Sequence, residues 1–199
     1  TLAAPYADLQ VEVAVGPAQV IEGTQAALSW RVRNLGDALT NVTQWKDAVY
    51  LSTDATLDAG DTLLTLVAHS GVLDVGAGYT VNTSVQAPYG VPGNYYFLIQ
   101  TDTQNQVYED TFDGNNTGAS IGATQVKTTP APDLEVQSVS APAQGVAGAK
   151  VTVSWTVNNI GEAAATGSWV DRVYLSIDGT LTGAINLGSI TRSQALPAG

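Results

Sequence analysis

Asp54, Asp58 and Asp61 stand close together in the stretch S-T-D-A-T-L-D-A-G-D-T, with Gly60 beside them to allow a sharp turn. Carboxylates and backbone carbonyls are the oxygens that Ca²⁺ gathers, roughly 6–8 of them, so these three are candidate calcium ligands. The spacing D-x3-D-x2-D differs from the alternating pattern of an EF-hand, and Asp also serves simply as a turn residue. Glu109, Asp110 and Asp113, followed by Asn115 and Asn116, form a second and weaker candidate for the same ion. There, Asp113-Gly114 suits a tight turn as well as it suits a ligand. Tyr50 and Tyr96 have the outward parity of their strands and are candidates for an exposed aromatic surface that stacks on a glycan.

Catalysis has little to stand on. His69 is the only histidine and there is no cysteine, so nucleophile–base pairs have one base at most and no motif around it. Neither H-E-x-x-H nor a phosphate-cradling glycine loop occurs. No catalytic residue and no organic cofactor is expected.

Charge narrows the partners. The net charge is −11, with seven Lys and Arg against eighteen Asp and Glu, and most of the excess lies before residue 133. So few cations cannot displace counterions along a phosphate backbone, which argues against nucleic acid. An anionic membrane surface is disfavoured for the same reason, and no run approaches the ~20 apolar residues of a membrane span.

The elements that must position these residues alternate with a period of two. Leu9, Val11, Val13 and Val15 share one face, as do Leu28, Trp30 and Val32, then Tyr79, Val81 and Val85, then Tyr95, Phe97 and Ile99. Turn signals such as Gly16-Pro17, Asn34-Leu35-Gly36 and Gly90-Val91-Pro92-Gly93 separate the runs. This predicts an all-β chain, an immunoglobulin-like β-sandwich of about seven strands, cored by Trp30, Trp45 and Phe97. Asp47 shares the inward parity of Trp45 and Val49. A buried carboxylate needs a partner, so an amide or Arg pairing, or a bulge that turns it outward, is expected there. Tyr95 is a candidate tyrosine corner.

The chain then repeats itself. D-L-Q-V at Asp8 returns as D-L-E-V at Asp133, and L-S-W-R-V-R-N-L-G (Leu28 to Gly36) returns as V-S-W-T-V-N-N-I-G (Val153 to Gly161). After one deletion, W-K-D-A-V-Y-L-S-T-D (Trp45 to Asp54) matches W-V-D-R-V-Y-L-S-I-D (Trp169 to Asp178). The boundaries read as a linker over 1–7, a first repeat over 8–126, a Pro-containing linker over 127–132 and a truncated second repeat over 133–199. Tandem copies of this size mark a module of an array. The prolines of the linker favour an extended spacer. The second copy ends where Gly76 falls in the first, and the chain lacks Met, so it reads as part of something longer. Its open edges are expected to be completed by strand exchange or by neighbours.

These motifs, with G-N-Y-Y-F-L-I-Q-T-D (Gly93 to Asp102) and V-Y-E-D-T-F-D-G-N-N (Val107 to Asn116), resemble the bacterial cell-adhesion-related domain called CARDB. The resemblance covers the first copy and what exists of the second. It implies an immunoglobulin-like sandwich, no catalytic activity, and residence in repeats of secreted or cell-surface bacterial proteins, or beside secreted hydrolases. The expected role is a structural or adhesive extender, stiffened by Ca²⁺ if the acidic loops bind it. Expected partners are neighbouring repeats, a surface receptor or a glycan.

Overall fold

A computed structural model describes residues 5–199, which divide into two compact units between Thr129 and Pro130. Among the described residues the first unit has nine strands: β1 (Leu9–Val15), β2 (Gln19–Ile21), β3 (Gln25–Asn34), β4 (Gln44–Ser52), β5 (Thr62–Ser70), β6 (Gly78–Gln86), β7 (Gly93–Gln100), β8 (Thr117–Ala119) and β9 (Thr124–Lys127). One sheet runs β1-β3-β6. The other runs β2-β9-β7-β4-β5, with β8 also on β7. All pairings are antiparallel except β2 with β9, which is parallel. The excess over seven strands is the short β2 and β8, which the alternation over three residues is too brief to announce.

Between the sheets lies one apolar cluster containing Leu9, Leu28, Trp30, Val32, Trp45, Val49, Phe97, Ile99 and Val126. Trp30, Trp45 and Phe97 are the largest fully buried side chains, as their parity requires. Parity fails in β1. A β-bulge between Val11 and Val13 shifts the register against β3, so Ala14 turns inward while Val13 and Val15 face solvent. One inserted residue reverses the face of everything beyond it.

The second unit has four strands: β10 (Leu134–Ser140), β11 (Ser154–Asn159), β12 (Trp169–Leu175) and β13 (Ile185–Arg192), paired β10-β11 and β12-β13. Even the irregularities are copied. The bulge at Val11/Val13 recurs at Val136/Ser138, and the one at Val49/Tyr50 recurs at Val173/Tyr174. With fewer strands over it, this unit leaves Val136, Val139 and Leu175 exposed and Trp155 only half-buried.

The Asn-x-Gly motif, Asn34-Leu35-Gly36 and Asn159-Ile160-Gly161, is a clamp in both units. Asn34 Oδ1 accepts from the Asp8 and Gly36 amides at 3.1 Å, while Nδ2 donates to the carbonyls of Ala38 (2.8 Å) and Leu73 (3.0 Å). Asn159 repeats this with Asp133, Gly161, Ala163 and Leu196. All four hydrogen-bonding positions of one side-chain amide are thereby used. Gly36 completes the clamp by close approach, since a Cβ there would lie 2.3 Å from Tyr6 O and 2.6 Å from the Asp8 amide nitrogen. Backbone on both sides leaves no flexible group to yield. Gly36→Ala is therefore expected to destabilise the first unit by about 2 kcal/mol in urea unfolding; an unchanged midpoint would show that the entry segment is not held here.

Candidate functional site

The polar groups buried within the first unit are a more informative site than its acidic loops. Asp47, on β4, is 1% exposed and lies between the sheets as its parity predicts. Trp30 Nε1, from β3, donates to its Oδ2 at 2.8 Å, and the Tyr79 hydroxyl, from β6, donates to both carboxylate oxygens at 2.9 Å. The pairing thus comes from side chains rather than from an amide or Arg. Trp45 Nε1 donates in turn to Tyr79 Oη at 3.1 Å, and Thr101 Oγ1 lies 3.2 Å from that hydroxyl. Burial raises the Asp47 carboxyl, while the Trp30 and Tyr79 donors oppose the rise. Burial and then the Asp47 charge push the Tyr79 phenol far above its ordinary value, so it remains a donor. Tyr79, not Tyr95, supplies the buried hydroxyl; the Tyr95 ring packs over Gly93 and against the core.

His69 caps this network. Its ring stacks between Trp45 and Tyr79, 4.0 Å from each centroid, and its Nε2 lies 3.1 Å from Gly71 O. Burial lowers its pKa against the raising pull of Gly71 and Asp47. The only histidine is a packing element at the sandwich edge.

Glu109 defines a second buried polar group, at the pole where β1 begins. It is 1% exposed, and although the 101–116 connection between β7 and β8 carries it, its carboxylate accepts from the Leu9 amide and, at 2.5 Å, from Asn116 Nδ2. Asn115 Nδ2 donates to Asp8 Oδ1 at 3.0 Å. Asp102, in the left-handed region at φ 44, accepts from the Gln106 and Val107 amides and shapes the same connection. Asn115 Oδ1 and Asn116 Oδ1 are buried without a donor. Of the sequence candidates here, Glu109 points inward, while Asp110 and Asp113 are exposed; the three do not converge.

Asp54, Asp58 and Asp61 are occupied with their own turn. Asp54 Oδ1 accepts from the Thr56 amide (2.8 Å), Asp58 Oδ1 from Gly60 (2.6 Å) and Asp61 Oδ2 from Asp58 (2.8 Å). Asp178, in the second unit, accepts from the Thr180 amide (2.9 Å) without any equivalent of Asp58 or Asp61, so the turn chemistry stands independently of a triad. Among the described residues, no group of three or more His, Asp or Glu side chains is arranged to hold a metal.

Tyr50 and Tyr96 are half-buried. Tyr50 faces Leu98 across the β4–β7 pairing, and its hydroxyl lies 3.4 Å from Gln100 Oε1. The broadly exposed tyrosines are Tyr89 and Tyr108, both in connections, where strand parity carries no information.

Burial is also the main reason that the Glu109 carboxyl rises to about 7; Asn116 and Leu9 oppose it, and Asp102 and Asp113 add to it. A raised folded-state pKa favours the protonated form, so this contribution to stability is present below the ordinary 4.5 and is lost as pH rises through the folded value. Urea unfolding at pH 5 and pH 8 should show a loss of stability that Glu109→Gln, which cannot ionise, reduces. An identical loss in both proteins would remove Glu109 as its source.

The CARDB family model matches residues 6–120 and again 131–196. Solved structures of similar fold include the CARDB domain of the PF1109 protein from Pyrococcus furiosus, crystallised in complex with di-metal ions. It is 21% identical, with 64% of this chain and 94% of that one covered and a TM-score of 0.45. The solution structure of that domain matches at 24% identity, 62% and 97% coverage and a TM-score of 0.45. A β-glucosidase from Listeria innocua in complex with isofagomine matches at 13% identity over 62% of this chain but 16% of its own, with a TM-score of 0.40. No curated protein matches the sequence.

Proposed function

Because the chain belongs to the CARDB family, a bacterial cell-adhesion-related and non-enzymatic module, we propose that it is a load-bearing spacer repeat. In this reading it extends or presents an adhesive element of a secreted or cell-surface protein. The observation that carries the reading is the parallel pairing of β2 with β9. Gln19, Val20 and Ile21 lie beside Gln125, Val126 and Lys127, and the Glu22 and Gln125 amides extend the ladder to Lys127 O and Ala18 O. β2 lies near the start of the unit and β9 at its end. Tension applied to the two ends therefore pulls these parallel strands in opposite directions along their length. The bonds are loaded together in shear rather than opened one by one, which suits a part that transmits force.

Supporting this is how the polar residues are spent. Asp47, Glu109 and His69 are used inside the unit on its own tryptophan, amide and ring partners. Stretching the 199-residue chain by its ends should show the first unit resisting and then yielding in one step that releases about 40 nm, from ~3.5 Å per residue. Smooth extension without a step would defeat the spacer reading.

Calcium stiffening is the finer part of the question. The acidic turns are capped by their own carboxylates, and the reading takes them as turns. A site filled at 100 times its dissociation constant adds about 2.7 kcal/mol, several degrees in a domain of this size. Melting in millimolar Ca²⁺ and in chelator should therefore differ by less than about 1 °C; a rise of several degrees that Asp58→Asn abolishes would put calcium back.

A further inference from the structure

The two sheets of the first unit end differently on their two sides. On the side of β1 they are joined. Ala14 bridges to Ser120 in parallel, and the Ile121 amide donates to Ala14 O at 3.0 Å. Gly118 lies so near Val11 that a Cβ on it would stand 2.8 Å from that side chain. On the other side β5 and β6 end their sheets, each paired along one edge only among the described residues. They run side by side there, since the His69 ring from β5 stacks on the Tyr79 ring from β6 at 4.0 Å.

Edge strands of this length are ordinarily guarded by charge, proline or a bulge. β5 and β6 contain no Asp, Glu, Lys, Arg or Pro, in a chain whose net charge is −11. A bulge skips Leu64 near the start of β5 and leaves residues 65–70 in regular register with β4. Leu63 and Leu66 face outward and are exposed, beside Tyr50 and Ala48 of β4. Charge decides what fits this edge. An acidic strand is repelled by the rest of the unit, and a basic one finds no carboxylate on either edge strand to pair with. The strand that suits it is uncharged and partly apolar, and β5 is itself such a strand.

We propose that β5 pairs antiparallel with β5 of a second copy of this chain, about a two-fold axis at Val67. A two-fold contact is self-complementary, so one suitable strand suffices. Centred on Val67, the pairing sets Leu66 against the partner's Ala68 and Thr65 against the partner's His69, which keeps every residue on its own face of the joined sheet. The seam lets two acidic molecules meet without bringing their carboxylates together. The chain enters the unit at the pole where β5 ends, because Asn34 bonds both Asp8 and Leu73. Antiparallel copies therefore enter from opposite ends, and in the spacer reading they join two facing surfaces.

The 199-residue chain itself is the probe. Sedimentation from micromolar to millimolar concentration should show monomer giving way to dimer, with amide exchange slowed in β5. Leu66→Glu and Ala68→Glu, both at exposed positions, should each weaken the dimer roughly tenfold and leave the melting temperature in place, because each sets like charges at the seam. Val139→Glu, exposed on the second unit, should leave the dimer unchanged. A chain that stays monomeric would overturn the proposal. So would a dimer that protects β11 or β12 in place of β5, or one that Val139→Glu weakens as much. Direction is read separately in a chain that has no cysteine of its own. A short bis-maleimide should join Leu63→Cys chains to Ser70→Cys chains more than it joins either to itself; preferential self-crosslinking of each would mean parallel strands and would overturn the antiparallel pairing.

Discussion

A buried carboxylate between two sheets is the constraint on which this module depends. Taking Asp47 out of water costs several kcal/mol unless donors replace the water, and the donors that do so come from β3 and β6, in the opposite sheet. The interaction therefore sets the relative position of the sheets as well as satisfying a charge. Many sandwich domains fasten their sheets with a disulfide, and this chain has no cysteine with which to do so. Two indoles, one phenol and one carboxylate take that place, and the apolar cluster closes around them. Directional bonds add register to a core that burial alone would leave free to slide.

The duplication serves as an internal control on what the fold requires. The Asn-x-Gly clamp, the two β-bulges, the Asp–Trp hydrogen bond and the Ser-x-Asp-x-Thr turn appear in both units at equivalent positions. Each is satisfied within a few strands of itself. Arg192 takes the register position of His69, but its guanidinium lies over Trp155, the counterpart of Trp30, whereas the His69 ring stacks on Trp45. The acidic triad of the first turn has no counterpart, while the turn it belongs to persists. Features that survive copying are those that hold the chain together.

The family to which the chain belongs is a non-enzymatic module. Polar groups with perturbed protonation are often catalytic, but here Asp47, Tyr79 and Glu109 are each enclosed by the partners that perturb them. They stiffen the interior and anchor the entry strand to the far connection.

Much of this was legible without coordinates. Alternation located the strands, the inward tryptophans and the inward Asp47, because side chains in a strand point by turns to opposite faces. The repeat and its motifs placed the chain in its family. Tertiary structure decided the rest, and the reason is sequence distance. Tyr79 completes Asp47 from 32 residues away and Glu109 reaches Leu9 across 100, contacts that no local pattern encodes. A bulge reversed the face of Val13, because one extra residue changes register without changing composition. The sequence did not reveal that Asp54, Asp58 and Asp61 cap their own turn or that Tyr50 and Tyr96 are half-buried. By itself the sequence determined the strands, the core face and the kinship of the two units. Only the folded chain decided which buried charge meets which donor, since desolvation acts on neighbours in space and not in order.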